Sequence, residues 1–238
     1  MKMLTLTEAK LLLREPLAFF WGLAFPVALL AVMGLSAGKV GGVPLVTVYE
    51  PIVIAFSAVA FGVQGLPVQV AAYRERRILR RLATTPAGPV RVVGAQLIVA
   101  MTVILTAAAA VIVVGRIGFA VPLPRQFAGT VAFALVAVLG TAAMLGLGLL
   151  IGAVAPTART AGAAGTLLFF PLMFFAGLWT PQMSPELRHI GEFTPLGAAV
   201  QGLRASMAGA WPDPVTLAVL AACAIVCTAA AVRFFRWN

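Results

Sequence analysis

The stretch AAYRERRILRRLATTP, residues 71–86, carries five arginines and one glutamate and lies between two long apolar segments. Only 10% of the 238 residues are charged, so this block stands out from the rest of the chain. The apolar share of 62% and the mean hydropathy of +1.05 are far above those of a soluble domain. The chain is therefore predicted to be a membrane protein, with the arginine block in a polar connection between two spans.

Six stretches lack Asp, Glu, Lys, Arg and His and are long enough, at about 20 residues per crossing, to span a bilayer as helices. They are residues 17–37, 51–72, 92–114, 127–155, 161–180 and 215–232. We therefore expect an all-α membrane protein with six transmembrane helices in a single domain over residues 1–238. The arginine block then belongs to a loop over residues 73–88, between the second and third spans.

Basic residues predict the orientation, because Lys and Arg near short loops are retained on the cytoplasmic side. Five of the 17 basic residues fall on one side of the predicted spans: Lys39, Arg116, Arg125, Arg188 and Arg204. The other side holds the remaining twelve: Lys2, Lys10, Arg14, Arg74, Arg76, Arg77, Arg80, Arg81, Arg91, Arg159, Arg233 and Arg236. Both termini are predicted to be cytoplasmic, and most of the net charge of +10 is an orientation signal rather than a nucleic-acid-binding surface.

A short amphipathic helix is predicted at the inner membrane surface over residues 4–16, before the first span. Thr5 and Glu8 have the spacing of a capping box, and Pro16 ends the helix. Lys10 and Arg14 can meet anionic headgroups while the leucines enter the interface.

Two further short helices are predicted on the outer side, within residues 181–210. Ser184 and Pro185 fit the N-cap and first position of a helix that ends near Gly191. A second helix follows Pro195, with an apolar face at helical spacing formed by Leu196, Val200, Leu203 and Met207.

Small residues at a spacing of four recur within the spans, as in Gly148–Gly152 and Ala161–Gly165. This spacing lets two helices approach closely. The partner helix belongs either to the same chain or to a second copy.

The predicted spans contain no ionisable residue, and Glu50 lies only at the outer edge of the second span. Ion-coupled carriers usually place such residues inside the membrane, so ion coupling is disfavoured. The strongest polar groups within the spans are the amides of Gln64, Gln69 and Gln96. They are candidates for a substrate path, or they form hydrogen bonds between helices.

No catalytic, metal or cofactor site is expected in this chain. None of the three lysines follows a Walker A glycine pattern, and the sole Asp and sole His, Asp213 and His189, lie outside the spans. Cys223 and Cys227 fit small apolar packing residues. The chain is therefore not expected to be an enzyme, and any work it does must draw its energy from another protein.

The arginine block allows two kinds of partner. Ile78, Leu79 and Leu82 form an apolar stripe on a helix otherwise covered by arginine, and Pro86 ends it. Such a helix can bind anionic lipid, or it can dock into a groove of a cytoplasmic protein. Glu75 favours the protein partner, since attraction to anionic lipid gives no use for a carboxylate.

The block resembles the loop between the second and third spans of type 2 ATP-binding-cassette (ABC) exporter permeases, which reads RERGTLxRLxxTP. The matching residues are Arg74, Glu75, Arg76, Leu79, Arg81, Leu82, Thr85 and Pro86, and Arg77 stands where glycine is usual. A second similarity covers residues 169–204, at Pro171, Gly177, Pro181, Leu187, Ile190, Pro195, Leu196 and Arg204. The amphipathic segment ending in Arg14-Glu15-Pro16 is a third.

The resemblance implies a six-span permease subunit of the bacterial cytoplasmic membrane that pairs with a second copy and with two separate ATPase subunits. ATP and Mg would be bound by the ATPase. The loop would supply the coupling helix, with Arg74, Glu75, Arg76, Leu79, Arg81, Leu82 and Thr85 as its contact residues. The expected function is outward translocation of an amphipathic drug, lipid or glycolipid. The alternative is a non-transporting scaffold or assembly factor whose basic loop binds lipid or a regulatory protein.

Overall fold

The computed structural model describes residues 20–36, 38–75, 88–124, 126–180 and 183–235. The regular secondary structure of these residues is helical except for one short β-hairpin, Lys39–Val40 (β1) paired with Val43–Pro44 (β2). The helices are α1 (Phe20–Leu35), α2 (Leu45–Glu75), α3 (Gly88–Phe119), α4 (Phe127–Val154), α5 (Ala158–Ala176), α6 (Pro185–Glu192), α7 (Pro195–Met207) and α8 (Pro214–Phe234). The predicted all-α membrane fold is confirmed.

Five of the described helices, α2, α3, α4, α5 and α8, are long and apolar enough to cross a bilayer. Helix α1 is apolar but shorter, and the predicted first span begins before the described residues. The predicted interfacial helix over residues 4–16 lies outside the described part of the chain. The assignment of six spans therefore stays a prediction.

Helices α2 and α4 form the centre of the bundle, and α2 is the most buried of the five long helices. Helix α4 packs against α8 and α7 on one side and against α2 on the other. Apolar side chains remain exposed on the outer faces of α3, α4, α5 and α8, as expected for a surface that meets lipid or another apolar partner.

The middle of α2 is a π-helical segment, Ala60–Gly65, which precedes Pro67. Glycines of α4 and α5 press on this segment, since a methyl group at Gly148 would collide with the carbonyl oxygen of Gly62 and one at Gly165 with that of Val63. The small-residue pattern therefore serves close packing within the chain. π-helical turns of this kind are frequent at functional sites.

The structure corrects the predicted position of Glu50, which the sequence places only at the outer edge of the second span. Helix α2 begins at Leu45, well before the predicted start at residue 51, and the Glu50 side chain is fully buried inside it. Neither carboxyl oxygen has a hydrogen-bond partner among the described residues. A charged residue ends an apolar stretch in the sequence, but it does not end a helix whose neighbours cover it.

Local caps determine several helix ends. Ser184 accepts a hydrogen bond from the N–H of Leu187 at the start of α6, as the Ser-Pro pattern predicts. Thr194 caps α7 in the same way, through the N–H of Gly197. The β-hairpin, which the sequence analysis did not predict, turns at Gly41 and Gly42, both of which have positive φ.

The loops collect at two opposite ends of the bundle. At one end the last residue of α2 meets the connection between α4 and α5. At the other, Gly129 near the start of α4 contacts Ser206 and Gly209 at the end of α7. Helix α7 is not a surface helix, because its Leu196, Val200 and Leu203 side chains are buried against the bundle.

Candidate functional site

The last turn of α2 is attached to the end of α4 through Arg74. Its Nη1 atom donates a hydrogen bond of 2.7 Å to the carbonyl oxygen of Ala153, and Nη2 donates to that of Ala155. These carbonyls belong to the C-terminal end of a helix, where the acceptors have no partner within the helix and the dipole favours a cation. Arg74 therefore satisfies two acceptors that α4 leaves open.

The next residue, Glu75, is attached to the start of α5. Its Oε2 atom accepts a hydrogen bond of 3.1 Å from the N–H of Ala158, the first residue of that helix. A carboxylate at a helix N-terminus is stabilised by the free N–H groups and by the helix dipole. Each of two adjacent residues of opposite charge thus meets the helix end that suits its charge.

The connection between α4 and α5 is short and rigid. The side chain of Thr157 accepts from the N–H of Thr160 at 3.2 Å, and Thr160 Oγ1 accepts from the N–H of Thr157 at 3.0 Å, which forms a capping box. Ala155 donates its N–H to the carbonyl oxygen of Ile151. Residues 74–75 are therefore hydrogen-bonded to both sides of this capped turn.

At this end of the bundle the described residues bring together no group of three or more His, Cys, Asp or Glu side chains that could hold a metal ion. Arg74 and Glu75 are the last described residues before the segment 76–87. The other predicted contact residues, Arg76, Leu79, Arg81, Leu82 and Thr85, lie outside the described residues. The structure therefore shows how the arginine block is anchored to the bundle, at its first two charged residues.

A family model described as ABC-2 type transporter matches residues 1–208, which is most of the chain and includes the arginine block. The chain belongs to the ABC-2 type transporter family. No curated protein and no solved structure matches it. As a family member it is a multi-pass permease subunit of an ABC transporter, and the family pairs such subunits with an ABC ATPase.

The three amides predicted as a substrate path of this ABC-2 permease lie on α2 and α3. Gln64 lies in the π-helical segment of α2 and Gln69 one turn or more beyond it, and both are half-buried. Gln96, on α3, is buried, and its amide forms no hydrogen bond with any described residue. No hydrogen bond joins the three side chains in the described ranges, so a common path through them stays a prediction.

Two features of the ABC-2 permease were missed by the sequence analysis. One is the buried Glu50, for which the mostly apolar run before it in the sequence, Leu45 to Tyr49, was the available signal. The other is a cavity at the opposite end of the bundle, lined by Arg188 and Arg204. These arginines counted only as orientation signals, because nothing in the sequence shows that α6 and α7 bring them to one cavity.

Proposed function

We propose that this chain is the membrane subunit of an ABC exporter and that Arg74 and Glu75 pass the movement of a separate ATPase into the bundle. The ATPase would dock on the arginine block over residues 73–88, on the cytoplasmic side. The observation that carries the proposal is the pair of attachments from Arg74 to the end of α4 and from Glu75 to the start of α5.

The attachments give a physical route for coupling. A rigid-body push on the docking segment reaches α2 directly, because Glu75 is the last residue of that helix. It reaches α4 and α5 through charge-assisted hydrogen bonds, each of which contributes about 1.5–3 kcal/mol. Since α2 and α4 form the centre of the bundle, a shift of their inner ends would change the packing of the whole permease.

The proposed substrate is an amphipathic drug, lipid or glycolipid, moved outward across the bacterial cytoplasmic membrane. Exposed apolar residues on α3, α5 and α8, such as Ile117, Leu167 and Ile225, support an apolar path along the protein or between two copies. We further propose a homodimer that binds two ATPase subunits, with ATP and Mg held by the ATPase and no cofactor in this chain.

The test separates docking from transmission by use of Arg74→Ala, in a complex of the full chain with its cognate ATPase in proteoliposomes. We expect the variant to bind the ATPase as the wild type does, because the rest of the arginine block is intact. Transport of a fluorescent phospholipid or an amphipathic dye, per ATP hydrolysed, should fall about tenfold or more, since two charge-assisted hydrogen bonds are lost. Glu75→Ala should act in the same direction.

Arg159→Ala is the matched control, because Arg159 is an exposed arginine in the first turn of α5 whose side chain has no hydrogen-bond partner in the described residues. It should leave transport unchanged. If Arg74→Ala and Glu75→Ala both transport like the wild type, the coupling role is wrong. If the purified chain binds anionic vesicles but no ATPase, the scaffold alternative is favoured instead.

A further inference from the structure

A cavity of about 200 Å³ lies at the end of the bundle opposite Arg74, between the C-terminal end of α5, α6 and α7. Its polar lining includes Arg188 of α6 and Gln201 and Arg204 of α7, and its apolar lining includes Phe175 and Val200. On the same measure a single water molecule needs roughly 10–15 Å³. The cavity therefore has room for a small polar group together with part of an apolar one.

The cavity carries positive charge that no described carboxylate neutralises. The Arg204 guanidinium forms no hydrogen bond with any described residue, and its Nη2 atom is buried. Burial lowers the pKa of Arg204, and Arg188 lowers it further, whereas Tyr49 opposes both. Burial of an unpaired cation costs free energy, and the described residues supply no negative partner. An anion bound in the cavity would remove this cost.

The nearby carboxylates are engaged elsewhere. Glu192 lies 3.1 Å from Nδ1 of His189. Glu186 is exposed in the first turn of α6, where its own backbone N–H and the Ser184 hydroxyl lower the pKa of its carboxyl group. Glu50, which follows Tyr49, faces Gly115 on α3. None of the three lies within ion-pair distance of Arg188 or Arg204, so the described residues leave an opening for an anionic ligand at this cavity.

Aromatic side chains that follow the helices lining the cavity indicate the depth of this end of the bundle in the membrane. Trp179 after α5, Phe193 after α6 and Trp211 after α7 are each half-exposed, at 50%, 58% and 55%. Trp side chains collect at the membrane–water interface, at the level of the lipid headgroups, so Trp179 and Trp211 carry this argument. The anion that is abundant at this level is the phosphate of phospholipids, and the planar guanidinium of arginine matches its geometry.

We propose that this cavity binds a phosphate group, with Arg204 at its inner wall and Arg188 at its exposed mouth. Gln201 of α7 holds Arg188 of α6 beside the cavity, because its Nε2 atom donates a hydrogen bond of 3.4 Å to the backbone carbonyl of Arg188. The apolar lining by Phe175 and Val200 fits the glycerol and acyl carbons next to the phosphate of a phospholipid. Free phosphate has the same chemistry without this apolar part.

Native mass spectrometry of the purified full chain in detergent tests the site, with no ATP and no ATPase present. The probes are dioctanoyl phosphatidylglycerol, dioctanoylglycerol, which lacks the phosphate, and inorganic phosphate. Phosphate binding needs no ATPase, so a negative result in this experiment would leave the proposed ATPase-driven function intact. Equally, a failed transport test would leave the proposed phosphate site intact.

We expect phosphatidylglycerol to bind more tightly than dioctanoylglycerol, and Arg204→Gln and Arg188→Gln to weaken it about tenfold each through loss of charge-assisted hydrogen bonds. Arg204→Lys should lose part of the affinity, because lysine cannot bind bidentately. Lys39→Gln removes an exposed basic residue that is predicted on the same side and does not line the cavity, and it should have no effect.

Competition by inorganic phosphate identifies the source. Weak competition assigns the site to lipid, and competition equal to that of the lipid assigns it to free phosphate, both in support of a phosphate site. If Arg204→Gln does not fold, Arg204→Lys and Arg188→Gln carry the test. The inference would be overturned if both of these variants bound phosphatidylglycerol as tightly as the wild type does. It would also be overturned if the wild type bound dioctanoylglycerol as tightly as phosphatidylglycerol.

Discussion

At the scale of single residues, Gly115 of α3 and Glu50 of α2 depend on each other. The Cβ atom of an alanine at position 115 would lie 2.5 Å from Oε1 of Glu50, so only glycine leaves room for the carboxyl group. Leu30 of α1 closes the same site from a third helix. A buried carboxyl group without a described partner is thus enclosed by apolar neighbours, which makes the position sensitive to added volume.

Gly115→Ala is expected to destabilise the permease by about 1–3 kcal/mol, the usual cost of overpacking. For a chain of this size this lowers the Tm by roughly 2–4 °C per kcal/mol. Gly118→Ala, one turn further along in open space, should be neutral or stabilising, because alanine favours helix over glycine. Thermal unfolding of the detergent-solubilised chain measures both.

A double-mutant cycle with Glu50→Ala identifies the cause. The loss of stability caused by Gly115→Ala should be smaller in the Glu50→Ala background, because the carboxyl oxygen that the added methyl group would contact is absent. An equal loss in both backgrounds would show that the contact with Glu50 is not responsible.

At the scale of helices, the junction of α2 with α4 depends on glycine at several points. Gly148 contacts the backbone of Gly62, and Gly152 packs on Val70, where a Cβ atom would lie 3.0 Å from that of the valine. Backbone cannot move aside as a side chain can, so the π-helical segment and α4 are held at a fixed distance. The stiffness of this contact is what would let a push at Glu75 travel along α2 into α4.

Gly148→Ala should therefore separate α2 from α4 and lower the Tm by more than Gly115→Ala does, since its added methyl group meets backbone rather than a flexible side chain. Gly162→Ala on α5 is the control, because its methyl group would make only an ordinary contact of 3.4 Å with Val68. Equal Tm values for the two variants would contradict the packing described here.

At the scale of the whole molecule, the two candidate regions lie at opposite ends of one bundle. Arg74 and Glu75 meet the connection of α4 to α5, and Arg188 and Arg204 line the cavity near the far ends of α5 and α7. Helix α5 starts at the first region and ends at the second. The same helix therefore links the proposed ATPase side with the proposed phosphate site.

Cysteine labelling tests the predicted orientation of these ends. In a background with Cys223→Ala and Cys227→Ala, Lys39→Cys should react with a membrane-impermeant maleimide in intact cells. Arg159→Cys should react only after the cells are opened, because its side is predicted to be cytoplasmic. Both positions are exposed in the structure, so a reversed pattern would mean that the basic residues were assigned to the wrong sides.

Much of the helical architecture could be predicted from the sequence, because it depends on local signals. Ser184-Pro185 marks the start of α6, and the apolar spacing from Leu196 to Leu203 marks the buried face of α7. For the candidate site, the sequence predicts only the location, in the arginine block. It does not predict which groups Arg74 and Glu75 contact, since their partners lie 79 to 83 residues further along the chain.

The sequence by itself determined that this protein is a helical membrane protein with one strongly basic connection, because transfer of apolar segments into lipid depends on each segment's own composition. Only the tertiary structure decided which groups meet: Arg74 with the end of α4, Glu75 with the start of α5, Glu50 with Gly115, and Arg188 with Arg204 around one cavity. The reason is physical, since hydrogen bonds and steric contacts act over a few ångströms. These contacts form only when the helices pack against one another.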